Sequence, residues 1–349
     1  MKMSEESHKN QSIASVLSDC RCEIMGIAAF LLVVYHVFFP VLDEVPFLRE
    51  VEDFFLMRGF WAADVFFFVS GMGLVRSVSK YSIGEFYYRR LRRILIPYLV
   101  IGILSAVKMG WSILYFLKTV SGISFITGEV HALLWYVPAI VICYILFPFY
   151  YRLLKKVKRP VLLTVILSLV IIITETAGVF IGYSVHAIFI LRIPAFLLGT
   201  MFGELKDDKR FLITRKTIII CILVMSLGIF LLSGVIPALD YVPYPTSSII
   251  AIPFSILAAY VLDMTSSGFI IRRALQFIGK VSLELYCVHV FLFNEFAVDI
   301  INKYLPRYFS FNPALLVNLI LFICFMLFAY LLYFVNKGVI KLTDKALKM

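Results

Sequence analysis

Charged residues are scarce in this chain of 349 residues. Asp, Glu, Lys and Arg make up 16% of the sequence, against roughly a quarter in soluble domains. Hydrophobic residues make up 62%, and the mean hydropathy is +0.95. No polar stretch is long enough to bury a core of its own, so we expect no separate soluble domain in this sequence. This composition is typical of a polytopic membrane protein.

Several common signatures are also absent. The six cysteines are spaced neither as a zinc quartet nor as a disulfide framework. The sequence has no G-x-x-x-x-G-K-[ST] phosphate loop, no G-x-S-x-G elbow and no H-E-x-x-H motif. We therefore expect no metal and no bound cofactor. Residues 1–23 are polar and have no cleavage site, so the first apolar segment is expected to act as the insertion signal.

Long apolar runs are abundant instead. A membrane span needs about 20 mostly apolar residues, and ten segments qualify: 24–42, 60–76, 94–110, 132–151, 161–182, 186–203, 216–236, 247–263, 277–296 and 313–336. The short apolar segment 111–117 is expected to be interfacial or re-entrant. The sequence predicts an all-α bundle of about ten transmembrane helices. It comprises an N-terminal segment (1–23), a membrane domain (24–336) and a basic tail (337–349).

Basic residues are distributed unevenly between alternate loops. Of the 33 Lys and Arg residues, 26 lie in one set of loops and termini and 6 in the other, while Arg192 lies inside a span. This asymmetry predicts that both termini are cytoplasmic. The net charge of +11 is therefore a signal of topology and of lipid headgroups. We expect the bilayer, and no nucleic acid, as the partner of these charges.

A few ionisable residues fall inside the predicted spans, where charge is costly and usually functional. They are His36, Asp64, Glu175, Arg192, Glu284 and His289. At 1.5 Å per residue, His36 lies about 18 Å from the cytoplasmic end of its span. Asp64 has a similar depth, and Arg192 and His289 lie near the midplane. Depth alone suggests that these groups converge on one polar cavity.

Structural roles would also explain these residues. His36 could form an interhelical hydrogen bond, Asp64 could be the partner of His36 or Arg192, and Glu284 could cap a kink near Ser282. A histidine is nevertheless the side chain best suited to proton transfer near neutral pH. An arginine could bind phosphates or stabilise an oxyanion.

Six motifs follow one another along these spans: GIAAFLLVVYH (26–36), AADVFFFVSGMGL (62–74), FYYRRLRRILIPYL (86–99), LLWYVPAIVICYILFP (133–148), LRIPAFLLG (191–199) and IGKVSLELYCVH (278–289). In this order they resemble the acyltransferase-3 family of bacterial integral-membrane acyltransferases, which O-acylate polysaccharides and related envelope glycans. The resemblance implies a ten-helix enzyme of the bacterial cytoplasmic membrane. It would transfer an acyl group, commonly acetyl from acetyl-CoA, to a glycan.

The resemblance also implies roles for individual residues. The first-helix histidine of the family corresponds to His36, a general base or acyl-accepting nucleophile. The family arginine is separated from that histidine by ten residues, and its position here is Met25, so Arg21, one helical turn earlier, is the candidate replacement. The matching positions give catalytic candidates (His36, Asp64, Arg192), donor-binding candidates (Arg21, Arg89, Arg90, Arg93) and further polar candidates (Ser70, Glu284, His289). Asp64 is expected to orient the ring of His36.

Other functions fit the same sequence. A transporter or flippase for an envelope glycan or lipid would also need ten spans and polar groups at the midplane. A sensor or scaffold for envelope synthesis would tolerate loss of these groups. The arginines of FYYRRLRRILIPYL would attract CoA phosphates or would anchor the chain to headgroups. The acceptor, a glycan or a lipid-linked glycan, and the oligomeric state are left open.

Overall fold

Helices build the part of the chain that the structure describes. The computed structural model describes residues 11–42, 46–129, 134–182, 186–206, 208, 211–233, 244–266, 268–293 and 314–346. Within them the only β-pairing is one isolated bridge between Ser12 and Leu212. The helices, in chain order, are α1 (Ile13–Asp19), α2 (Arg21–Val37), α3 (Pro46–Arg58), α4 (Ala62–Val78), α5 (Ile83–Met109), α6 (Ile113–Val120), α7 (Ile123–Ile126), α8 (Tyr136–Lys156), α9 (Pro160–Phe180), α10 (Ala187–Ile190), α11 (Ile193–Glu204), α12 (Arg215–Leu232), α13 (Tyr244–Asp263), α14 (Ile270–Lys280), α15 (Ser282–Leu292) and α16 (Ala314–Ala346).

Seven helical segments among the described residues are long and apolar enough to cross a membrane. The number is nine if two bent pairs, α1 with α2 and α14 with α15, each form one span. The remaining predicted span, 94–110, lies in α5. Its apolar run between Arg93 and Lys108 is about 21 Å long, shorter than the hydrocarbon core of about 30 Å. The all-helical membrane class is confirmed, while the count of ten and the cytoplasmic termini stay predictions.

Both ends of the described chain contain helix where the sequence predicts polar terminal segments. Helix α1 lies within the predicted N-terminal segment and buries Ile13, Val16 and Leu17. These residues recur at helical spacing, so one face of α1 is apolar although the segment is polar on average. At the other end, α16 continues through the first part of the predicted basic tail to Ala346. Residues 1–10 and 347–349 lie outside the described residues.

One compact unit consists of Met1–Ala28, Phe60–Phe86 and Ile142–Lys280. Within it, α4 packs closely against α11. A Cβ atom on Gly71 would collide with the carbonyl oxygen of Phe196, and one on Gly199 with that of Phe68. Small residues let helix backbones approach in a membrane, where van der Waals packing holds helices together. The motifs AADVFFFVSGMGL and LRIPAFLLG thus form the two sides of one helix crossing.

A second close crossing in the same unit joins the start of α2 to α14. A Cβ atom on Gly26 would meet the carbonyl oxygen of Leu275, and one on Gly279 would meet that of Cys22. Nearby, Arg272 donates to the buried carboxylate of Glu23 at 2.7 Å. Gly26, the first residue of GIAAFLLVVYH, and Gly279, the second residue of IGKVSLELYCVH, therefore serve packing.

The other compact unit consists of Ala29–Gly59, Tyr87–Val141 and Val281–Met349. Its main described contact is between α15 and α16. Phe325 of α16 is buried there, with its ring centroid 6.4 Å from that of His289. Both histidines of the candidate site belong to this unit.

Candidate active site

His36 and His289 meet within the second unit. His36 lies in the last turn of α2, at the end of its apolar run, and is exposed. His289 lies on α15 and is only 1% exposed. Nδ1 of His36 is 3.1 Å from Nε2 of His289, and the two rings are stacked with centroids 5.2 Å apart. The structure thus joins two residues that are 253 positions apart in the chain.

The hydrogen bonds of the pair determine which ring nitrogens carry protons. Nδ1 of His289 is 2.8 Å from the carbonyl oxygen of Leu285, which can only accept, so this nitrogen donates. In a neutral ring, Nε2 of His289 must then accept, and Nδ1 of His36 must be its donor. The basic lone pair of His36 is therefore on Nε2. The buried ring holds the exposed ring in the tautomer that a general base at Nε2 requires.

A cavity of about 210 Å³ lies beside this pair, within the same unit. Its lining includes His36, His289, Trp135, Tyr286 and Phe293. Two imidazoles in a wall of aliphatic and aromatic side chains form the usual combination of a ligand site, with apolar surface and a few oriented polar groups. The residue types and their arrangement allow a proton to be taken from a bound hydroxyl.

Trp135 and Tyr286 also line the cavity. Both lie in the sequence motifs, but neither was predicted as a site residue. A signal for Tyr286 was present, because it stands three residues before His289 and so shares its face of α15. Trp135 precedes α8 and is half-buried. Nothing in its local sequence distinguishes it from an interfacial tryptophan.

Glu284 lies on the same helix as His289 and is fully buried. It forms an ion pair with Arg93, and it also accepts a hydrogen bond from Nδ2 of Asn336 at 2.9 Å. The guanidinium of Arg93 also faces the ring of Tyr333. Glu284 is in the first turn of α15, where a carboxylate is favourable. The cluster compensates a buried charge, and it ties α5, α15 and α16 together.

The other predicted donor-binding arginines of this unit lie in the first part of α5. Arg89 is exposed and Arg90 is partly exposed. Their neighbour Arg92 forms an ion pair with Asp344 and lies over the ring of Tyr88. Their exposure keeps Arg89 and Arg90 as candidates for an anionic ligand, and their role in donor binding stays a prediction.

Asp64 and Arg192 pair with each other in the first unit. Their side chains are 0% and 1% exposed, respectively. Ser248 donates to Asp64 at 2.9 Å, and the guanidinium of Arg192 also donates to the carbonyl oxygens of Ile188 and Phe60. This geometry agrees with the interpretation of Asp64 as the structural partner of Arg192. The described hydrogen bond to the ring of His36 involves His289, and the orienting role of Asp64 towards His36 stays a prediction.

Arg21 and Ser70 also lie in the first unit. The guanidinium of Arg21 lies against Gly73, where a Cβ atom would come within 2.9 Å of it. Ser70 is buried on α4, one residue before the close crossing at Gly71. The position of Ser70 indicates packing. Arg21 packs beside the AADVFFFVSGMGL motif, and its role in donor binding stays a prediction.

Together, the apolar helices and the paired polar groups define a multi-pass membrane protein with a histidine-lined cavity. A family model described as an acyltransferase domain matches residues 26–334, nearly the whole chain. The chain therefore belongs to the acyltransferase-3 family, as the motifs indicated, and is a membrane acyltransferase. No curated protein and no solved structure matches it.

Proposed function

We propose that the protein transfers an acyl group, acetyl in the simplest case, from acyl-CoA to a hydroxyl of a cell-envelope glycan or lipid-linked glycan. The observation that carries the proposal is the hydrogen-bonded pair of His36 and His289 beside the cavity. Acyl transfer to a hydroxyl needs a base at the acceptor. His36 supplies it at Nε2, and His289 acts as the positioning residue.

The proposed step is direct attack of the acceptor on the thioester. The acceptor oxygen bonds to the carbonyl carbon while its proton passes to Nε2 of His36, and the carbonyl π electrons move to oxygen. When the carbonyl reforms, the C–S bond breaks. The leaving thiolate takes the proton from His36, which returns the ring to its starting tautomer. The products are an acyl ester and free CoA.

Binding of the donor is proposed to use the positive charge at the start of α5. Arg89 and Arg90 are accessible there, and CoA carries several phosphates that arginine recognises well. Arg21 is proposed to substitute for the arginine that the family has near Met25. We propose no contact of Arg192 with substrate, because Arg192 is buried with Asp64.

We also propose the membrane in which the protein lies and its orientation there. The 26 to 6 division of basic residues supports both termini on the cytoplasmic side of the bacterial inner membrane. In that orientation, Arg89 and Arg90 face the compartment that contains acyl-CoA. The acceptor would reach the cavity from the opposite, extracytoplasmic side.

The experiment that tests the function is transfer by purified protein in lipid nanodiscs. Isotope-labelled acetyl-CoA is mixed with envelope glycan from a strain that lacks the protein. We expect label in the glycan and an equal amount of released thiol, and hydroxylamine should remove the label if it is held as an ester. His186→Ala is the matched histidine control, because His186 is only partly buried and is not among the described lining residues of the cavity. A transporter or scaffold would produce neither labelled glycan nor thiol.

A further inference from the structure

We propose that Tyr286 is a second catalytic residue, whose hydroxyl donates a hydrogen bond to the acyl carbonyl oxygen as negative charge develops on it. This inference rests on the proposed function, and it assigns to the cavity the group that would stabilise the tetrahedral intermediate. His36 and His289 account for the proton of the acceptor. They leave the charge on the carbonyl oxygen without a stabilising donor, which is commonly the larger contribution to catalysis.

The position of Tyr286 places it in the same cavity as the base. It lies on α15 three residues before His289, and its ring centroid is 5.8 Å from that of His289. Both side chains line the cavity together with His36, and Tyr286 is 8% exposed. A carbonyl bound between His36 and Tyr286 would therefore have the base on one side and a phenol on the other.

The hydrogen bonding of Tyr286 makes its hydroxyl a donor. The backbone N–H of Tyr136 donates to the phenol oxygen at 3.3 Å. Tyr136 is the first residue of α8, where N–H groups have no partner within the helix and the helix dipole is positive. Since the oxygen accepts from this N–H, the phenol proton is the one it gives away. The adjacent positive dipole also strengthens the O–H as a donor.

The backbone that leads into α8 is strained where it lines the cavity. Leu134 has φ = +52°, in the left-handed region that residues with a Cβ atom rarely adopt. It is 2% exposed and lies two residues before Tyr136. Strain of this kind persists where surrounding contacts hold the backbone, and it is concentrated at functional sites. Here it accompanies the turn that presents the N–H of Tyr136 to Tyr286.

The proposed role adds one interaction to the attack step. The acceptor oxygen bonds to the thioester carbon, its proton goes to Nε2 of His36, and the carbonyl electron pair moves to oxygen. The O–H of Tyr286 donates to that oxyanion and keeps its proton. When the electron pair returns, the C–S bond breaks and the thiolate takes the proton from His36. Tyr286 thus lowers the barrier without changing protonation state.

The test compares Tyr286→Phe with Tyr98→Phe in the nanodisc assay, with labelled acetyl-CoA and glycan from the deletion strain. Tyr98 is the matched control: it is buried in the same unit, and its hydroxyl donates to the carbonyl oxygen of Thr119 at 3.0 Å. We expect Tyr286→Phe to lower kcat on the order of 100-fold, with the KM for acetyl-CoA changed less than about threefold. Tyr98→Phe should leave kcat near the wild-type value.

A structural role for Tyr286 makes a different prediction. If its hydroxyl only caps α8, both variants should lose similar thermal stability and keep similar kcat, and that result would overturn the inference while leaving the proposed function intact. Tyr286→Gln is a rescue variant. Its amide N–H can partly replace the phenol O–H as a hydrogen-bond donor, so this variant should be more active than Tyr286→Phe. Equal rates for Gln and Phe contradict the donor role. A wild-type protein that transfers no acetyl group overturns both proposals.

Discussion

Breaking the buried pair of Asp64 and Arg192 should be more damaging than removing both charges. Arg192→Met leaves the carboxylate of Asp64 fully buried without its ion-pair partner, while Ser248 still donates to it. Asp64→Leu leaves a buried guanidinium without its carboxylate partner, although the carbonyl oxygens of Ile188 and Phe60 still accept from it. Each single variant should lose about 3–5 kcal/mol of stability, because it isolates a charge.

The double variant Asp64→Leu with Arg192→Met removes both charges. It strands neutral groups such as the Ser248 hydroxyl and the carbonyl groups of Ile188 and Phe60, at a cost of about 1–3 kcal/mol. At roughly 2.1 cal/mol/K per residue, the 349-residue chain has an unfolding entropy of about 0.7 kcal/mol/K. The singles should then melt about 4–7 °C below wild type, and the double about 1–4 °C below it.

Thermal melting of detergent-purified protein, followed by tryptophan fluorescence, measures these shifts. Acetyl transfer by the double variant tests the role of the pair in function and should stay within about tenfold of wild type. Additive losses in the double variant refute the pairing argument. A stable double variant that transfers nothing would show instead that one of these charges acts in the chemistry.

Three further variants test other parts of the account. Arg89→Ala combined with Arg90→Ala should raise the KM for acetyl-CoA about tenfold in steady-state assays, with kcat nearly unchanged, since the proposed loss is phosphate binding. His289→Gln should retain more activity than His289→Met, because its amide oxygen can accept from His36 as Nε2 does; equal rates would refute positioning. Gly26→Ala should lower the melting temperature by roughly 1–4 °C through backbone collision, whereas Gly338→Ala, with no neighbour within 4 Å of an added Cβ, should be neutral.

The membrane class and most helices could be predicted because hydropathy and span length are local properties. The helix that contains the predicted span 94–110 is longer than the span. Helix α5 begins at Ile83 and includes the arginine-rich stretch before residue 94. Helix α1 was not predicted, because its segment is polar on average and its apolar residues lie on one face. Local composition identifies an apolar run, whereas the ends of a helix also depend on packing.

The site could be predicted only in part. Depth along a span placed His36 and His289 inside the membrane, but depth is one coordinate, and the direction of a side chain around the helix decides its partner. The contact between two residues 253 positions apart therefore came from the structure. The same holds for Asp64, for which His36 and Arg192 were equally plausible partners from the sequence. The glycines at the helix crossings are positions of the sequence motifs. Which backbone each glycine contacts, however, follows only from the positions of both helices.

The general-base role of His36 is the central claim, and His36→Ala tests it most directly. Acetyl transfer by the purified variant should fall at least about 100-fold, while the melting temperature should fall by no more than about 4 °C, because the ring is exposed and its removal costs the described hydrogen bond to His289. Added imidazole should restore part of the rate by occupying the space the side chain leaves beside the cavity. Wild-type transfer by His36→Ala without imidazole would contradict the account.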